Sequence, residues 1–121
     1  MMNTQLYIGI MSGTSMDGAD AVLIRMQGTR WLAAEAHAFA PYGHTLKADL
    51  LNLQNCGNNE LHRSMLLSQQ LSNLYAGVTA DLLAQQGLTP ADITAICCHG
   101  QTLRHAPAPG YGIPPADLAR L

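Results

Sequence analysis

The chain has 121 residues, of which 48% are hydrophobic and 12% are charged, and its formal net charge is -2. This length suits one ordinary domain, and the composition is too apolar for a disordered chain. Because basic residues are not in excess, we do not expect nucleic-acid binding, and the apolar runs are too short to cross a membrane. The N-terminus lacks a secretory pattern and the cysteine number is odd, so we expect a cytoplasmic protein with reduced thiols.

The first part of the chain predicts three β-strands. The first strand starts near Leu6, the second covers residues 21–26 and the third covers residues 30–40. The third run is rich in alanine, which also suits a helix, but its alternation favours a strand. Short connections then make these strands a meander, and we expect Trp31 to pack in its core.

A helical pattern follows. Leucines at three-to-four spacing predict a short helix around residues 44–55, and a long amphipathic helix extends from Glu60 to Gln86. Gly87 is a natural C-terminal stop. Gly77 costs about 1 kcal/mol relative to alanine inside a helix, so it marks either a close contact or a weak point.

The last third of the chain predicts a capped turn, a strand and a loop. Thr89 suits the capping position, residues 94–98 form a buried strand, and residues 106–121 are a proline-rich loop whose end can start another helix. The order β-β-β-α-β is the start of an α/β domain.

The stretch "GIMSGTSMDGAD" at residues 9–20 joins the first two strands. It is not a P-loop because Ala19 stands where a lysine is required, and it matches neither the dinucleotide fingerprint nor the nucleophile elbow. Its glycines and hydroxyl side chains suit an anion held by backbone N–H groups, and Asp17 and Asp20 suit an accompanying Mg²⁺. A simple hairpin turn rich in small residues explains the same composition, so both interpretations stay open.

The second stretch with chemical content is "CCHGQTLRH" at residues 97–105, directly after the last predicted strand. Loops at the ends of strands are the usual ligand-facing positions of α/β folds, and Arg104 suits an anionic group. His99 is alternatively a buried histidine bonded to backbone, and Arg104 a solvated surface residue. A zinc site is disfavoured because the side chains of Cys97 and Cys98 point to opposite faces of a strand.

The strings "GIMSGTSMDGADAVL" and "CHGQTLRHAP" together resemble the anhydro-N-acetylmuramic acid kinases, members of the sugar kinase/Hsp70/actin superfamily. The resemblance implies a ribonuclease-H-like (actin-like ATPase) half-domain with a mixed sheet, in which the first hairpin holds the phosphates of ATP. The residues that it assigns to ATP are Gly13, Thr14, Ser15, Met16, Asp17, Gly18, Ala19 and Asp20. The residues that it places near the sugar or the phosphates are His99, Gln101, Thr102 and Arg104.

The implied reaction uses ATP to phosphorylate 1,6-anhydro-N-acetylmuramic acid while water opens the anhydro bridge. The product is N-acetylmuramic acid 6-phosphate, formed during the recycling of bacterial cell wall. The resemblance places the catalytic base beyond Leu121, so we assign no catalytic residue here and give Asp17 and Asp20 to Mg²⁺. We expect residues 1–121 to be the N-terminal part of a longer kinase and to be inactive alone, and we consider a homodimer for the full-length protein.

Two other functions stay open. The same half-fold can serve as a non-catalytic module that binds a nucleotide or another subunit, and a Mg-ATP-dependent rise in melting temperature tests its phosphate site. A small sugar-binding protein without ATP is the other alternative, and titration with the anhydro-sugar alone would detect it.

Overall fold

The computed structural model describes residues 3–12, 16–106 and 111–113. Its first elements are the predicted strands: β1 at Gln5–Ser12, β2 at Gly18–Gln27 and β3 at Arg30–Pro41. Each strand pairs antiparallel with the next, which confirms the meander. The second strand starts at Gly18, three residues before the predicted start, because its first residues pair with both neighbouring strands.

Both predicted helices are present. The first, α1, covers His44–Asn52, and the second, α2, covers Glu60–Gln86. Gly87 ends α2 in the left-handed conformation, and the N–H of Leu88 donates to the carbonyl of Leu83, as in a Schellman motif. A Cβ at Gly77 would meet no atom within 4 Å, so this glycine is a weak point of the helix and not a close contact.

The predicted capped turn is a short 3₁₀ segment at Pro90–Asp92, closed by a capping box between Thr89 and Asp92. It leads into β4 at Ile93–Cys98, which runs parallel to β1 and completes a mixed sheet in the order β3-β2-β1-β4. The predicted α/β class and mixed sheet are therefore confirmed, and they are compatible with the half-domain that the resemblance implies.

Beyond β4, short strands β5 at Arg104–Ala106 and β6 at Tyr111–Ile113 form an antiparallel pair where the sequence predicted only a loop. Local propensity missed this pair because the strands are short and the segment is rich in proline and glycine. The possible helix after residue 113 lies outside the described residues.

The hydrophobic core lies between one face of the sheet and the two helices. Alternate side chains of β1 and β2 turn to this face, and the apolar side of α2 covers them. The strand residues in the core are Leu6, Ile8, Ile10, Ala19, Ala21, Leu23 and, from β3, Ala38. In the part of the chain that the structure describes, no helix combines the length and the apolar character needed to cross a membrane.

Two burial predictions were wrong. Trp31 is 56% exposed because it lies on the outermost strand of the sheet, close to the turn at Gly28. Most of β4 is exposed because β4 is the opposite edge of the described sheet, and Ile96 is 52% exposed. An open apolar cavity of about 760 Å³ lies between β4 and α2.

Candidate functional site

The predicted phosphate loop connects the end of β1 to the start of β2. Its residues Gly13, Thr14 and Ser15 lie outside the described residues. Met16 has a positive φ of 56°, uncommon for a residue with a side chain, and that side chain is almost completely buried. Because Met16 is anchored in the core, the described end of the loop is fixed to the body of the protein.

Gly18, Ala19 and Asp20 belong to β2: Ala19 and Asp20 pair with both β1 and β3, and Gly18 pairs with Pro41 of β3. A Cβ at Gly18 would lie 2.3 Å from the carbonyl oxygen of Ala40, so strand packing alone requires glycine here. The side chain of Ala19 is completely buried. Sheet packing therefore accounts for Gly18 and Ala19, and the contact of these three residues with ATP stays a prediction.

The carboxylates assigned to Mg²⁺ have different basic neighbours. Asp17 is 65% exposed, and Lys47 Nζ donates to its Oδ1 at 3.3 Å. Asp20 Oδ1 lies 2.7 Å from Nε2 of His37. Exposed carboxylate oxygens suit Mg²⁺, which is commonly held by one or two carboxylates together with phosphate oxygens. Within residues 3–12, 16–106 and 111–113, no group of three or more His, Cys, Asp and Glu side chains is placed to hold a metal.

Lys47 is the only lysine of the chain, and the sequence analysis missed it. It lies on α1, 30 residues from Asp17 in sequence, and brings a positive charge to a loop that has none of its own. The meander explains this contact, because Gly18 pairs with Pro41 and the next residues therefore return beside the loop. The sequence held one signal that could have found Lys47. In a meander, the end of β3 pairs with the start of β2, so the first residues after β3 lie beside the loop that precedes β2.

The second motif begins beside the end of β1. The N–H of His99 donates to the carbonyl of Ile10 at 2.9 Å, which extends the parallel pairing of β4 and β1. The predicted position of this motif at a strand end is therefore confirmed. His99 is exposed, with Nδ1 3.0 Å from the Gly100 carbonyl oxygen, so it is not the buried histidine considered as an alternative.

The other predicted cleft residues differ in burial. Gln101 has no exposed surface and Thr102 is half-buried. Arg104 is the first residue of β5. Which of His99, Gln101, Thr102 and Arg104 contacts a ligand stays a prediction.

Below the two motifs lies a buried polar cluster whose tyrosines the sequence analysis also missed. The hydroxyls of Ser12 and Tyr75 are 2.8 Å apart, and the Tyr42 hydroxyl donates to Oε1 of Gln101 at 3.0 Å. Burial raises the pKa of both Tyr75 and Tyr42, and burial also raises the pKa of the neighbouring Cys98 thiol. Both phenol groups therefore stay protonated at physiological pH and can donate hydrogen bonds. Cys98, Cys56 and Cys97 are free thiols in this structure.

Comparison with known proteins gives consistent matches over the whole chain. Residues 5–118 match the profile of the family described as "Anhydro-N-acetylmuramic acid kinase". Curated proteins of that name from Neisseria meningitidis serogroup C and Neisseria gonorrhoeae are 66% and 65% identical over all 121 residues, which cover 33% of each relative. A protein of the same name from Chromobacterium violaceum is 45% identical over 118 residues, covering 98% of this chain and 32% of that relative.

Proposed function

The chain belongs to the anhydro-N-acetylmuramic acid kinase family, and from this premise we propose that it forms the ATP-phosphate-binding part of such a kinase. In the proposed reaction, ATP phosphorylates the 6-oxygen of 1,6-anhydro-N-acetylmuramic acid while water opens the anhydro bridge. The products are N-acetylmuramic acid 6-phosphate and ADP. The chain spans about a third of the length of the curated relatives it matches, so this activity is proposed for the full-length protein.

One observation carries the proposal. The loop after β1 and the motif after β4 both begin at the carboxyl ends of two parallel neighbouring strands, where the N–H of His99 donates to the carbonyl of Ile10. Ligands of open α/β sheets bind outside the carboxyl ends of the strands. The family resemblance and this placement therefore support the same site.

The described residues suggest a division of roles around that site. We assign the phosphates to the backbone N–H groups of residues 13–17, with positive charge from Lys47 and Arg104. Asp17 and Asp20 offer oxygen ligands to Mg²⁺, which neutralises phosphate charge when it is bound. His99 and Thr102 are assigned to the sugar side of the cleft. We further propose residues 1–121 as the N-terminal part of an actin-like ATPase domain.

The first experiment measures ADP release by the full-length gene product with Mg-ATP, in the presence and absence of the anhydro-sugar. We expect release only when both are present. Release that does not depend on the sugar, or no release at all, would contradict the kinase assignment. Binding of Mg-ATP without any turnover would instead favour the non-catalytic nucleotide-binding module.

A variant pair then tests the assignment of Asp17. Asp17→Asn removes a carboxylate from the loop, whereas Asp81→Asn makes the same change on the exposed surface of α2. We expect a higher KM for Mg-ATP only in Asp17→Asn. Equal KM values in both variants would remove Asp17 from the metal site.

A homodimer and a cytoplasmic location for the full-length protein stay predictions, which sedimentation and cell fractionation can test.

A further inference from the structure

Tyr42 connects the two motifs of the proposed site through different groups of one residue. Its backbone N–H donates to the carbonyl of Asp17, in the first loop, at 2.9 Å. Its hydroxyl donates to Oε1 of Gln101, in the second motif, at 3.0 Å. Tyr42 itself lies between β3 and α1 and is buried, so the hydrogen bond of its hydroxyl is shielded from water.

The hydroxyl of Tyr42 is also part of the buried polar cluster described above. Burial raises its pKa, so the hydroxyl keeps the proton that it donates to Gln101. The cluster contains Ser12, which ends β1 where the loop starts, and Gln101, in the second motif.

We propose that Tyr42 is a positioning residue that fixes the first loop relative to the second motif and thereby sets the affinity for Mg-ATP. The inference rests on the proposed function. A phosphate site made of backbone N–H groups binds well only when those groups are already aimed at the anion. Hydrogen bonds in a buried cluster hold such an arrangement because the interior offers no water to replace them.

The test uses the full-length gene product carrying Tyr42→Phe. This change keeps the ring and the N–H bond to Asp17, and it removes only the hydroxyl. We expect the Kd for Mg-ATP, measured by calorimetry, to rise about fivefold to tenfold, the equivalent of one buried hydrogen bond.

Thr79→Val is the matched control. Thr79 is also buried, and its hydroxyl donates to the Tyr75 carbonyl within α2 at 2.8 Å, so the variant removes a comparable bond away from the motifs. We expect both variants to lower the melting temperature and only Tyr42→Phe to raise the Kd. A Kd that rises equally in both variants would mean a general loss of stability and would overturn the inference.

A double-mutant cycle with Gln101→Met tests the contact itself. Met keeps the length of the side chain and removes the amide that accepts from Tyr42. If the two residues act through one hydrogen bond, Tyr42→Phe has little further effect on the Kd in the Gln101→Met background. Independent, additive effects on the Kd would overturn the inference. If Gln101→Met does not fold, Gln101→Asn takes its place, because the shorter side chain withdraws the same oxygen.

The outcomes separate this inference from the proposed function. A wild-type protein that does not bind Mg-ATP would refute the proposed function and the inference with it. A wild-type protein that binds Mg-ATP, with a Tyr42→Phe variant that binds equally well, would refute only the positioning role.

Discussion

Lys47 gives the first loop the positive charge that its own sequence lacks. The ion pair with Asp17 is exposed, and exposed pairs contribute little to folding stability. We therefore predict that Lys47 matters for binding the phosphates in the proposed site and not for stability.

The predicted consequence concerns ATP affinity. Lys47→Gln in the full-length gene product should raise the Kd for Mg-ATP about twofold to fivefold, as expected for a solvent-screened charge worth up to about 1 kcal/mol. The effect should shrink as salt concentration rises, because salt screens exposed charges. The control, Arg30→Gln, makes the same charge change on β3 near the turn at Gly28. An equal loss of affinity in the control would show that only net charge matters.

Gly18 tests how tightly the start of β2 packs against β3. A Cβ there would lie 2.3 Å from the Ala40 carbonyl oxygen and 2.8 Å from Cα of Pro41, and backbone cannot move aside cheaply. Gly18→Ala should therefore lower the free energy of unfolding by about 1–3 kcal/mol or more, the usual cost of overpacking. Chemical denaturation measures the loss.

Gly9→Ala is the control for Gly18→Ala. Gly9 lies in β1, and the nearest atom to its Cβ would be Cδ1 of Ile24 at 3.9 Å, an ordinary contact. The control should cost much less than Gly18→Ala. Similar losses would mean that strand packing does not require glycine at position 18.

At the scale of the elements, α2 carries a removable weak point. Gly77 is exposed in the interior of the helix and a Cβ there meets open space. Gly77→Ala should raise the free energy of unfolding by about 1 kcal/mol, because alanine loses less backbone entropy than glycine in a helix. Chemical denaturation of the full-length gene product measures the gain. A loss of stability would mean that another part of the protein contacts this turn.

The buried tyrosine on α2 predicts a pH dependence. Burial raises the pKa of Tyr75, whereas in the unfolded chain a tyrosine titrates near its ordinary pKa of about 10. Below that pH the contribution of Tyr75 to stability is complete, and above it the unfolded chain loses a proton that the folded protein keeps. Stability must therefore fall as the pH rises above about 10.

Tyr75→Phe removes this titration, so melting temperature should fall less steeply between about pH 9.5 and 11.5 than in the wild type. Thr79→Val is again the control, because it removes a neighbouring buried hydroxyl that does not titrate. Identical slopes in the wild type and Tyr75→Phe would show that Tyr75 is exposed to water.

The elements themselves could be predicted because each has a clear period or a clear stop. The three-to-four spacing of leucines gave α2, and Gly87 gave its end. The start of β2 could not be predicted, because Gly18 and Asp20 are typical turn residues and only pairing with β1 and β3 makes them a strand. Lys47 and Tyr42 were missed for a related reason, since both reach the loop through the return of the chain after β3.

At the scale of the whole molecule, burial depended on which faces of the sheet are covered. Apolar composition correctly predicted β4, but composition does not say whether a strand is central or at an edge. In the described part of the sheet β4 is at an edge, so its outer backbone groups and Ile96 are open. Open apolar edges favour association between chains.

The open cavity beside this edge forms an apolar groove. The groove between β4 and α2 is lined by apolar residues, and the matched relatives are about three times as long as this chain, which covers 33% of their length. We therefore expect the 121-residue chain expressed alone to self-associate and to bind an apolar fluorescent dye, and the full-length gene product to bind less dye per chain.

Ile96→Lys places a charge in the groove and should reduce both self-association and dye binding of the short chain. Leu61→Lys, at a more exposed apolar position near the start of α2, is the control for added charge and should change them less. Sedimentation and dye fluorescence measure the two effects. A short chain that stays monomeric and binds no dye would mean that the groove is closed in solution. Of the two residues, Ile96 lines the cavity and Leu61 does not. An equal response in both variants would therefore mean that net charge, and not this groove, controls association.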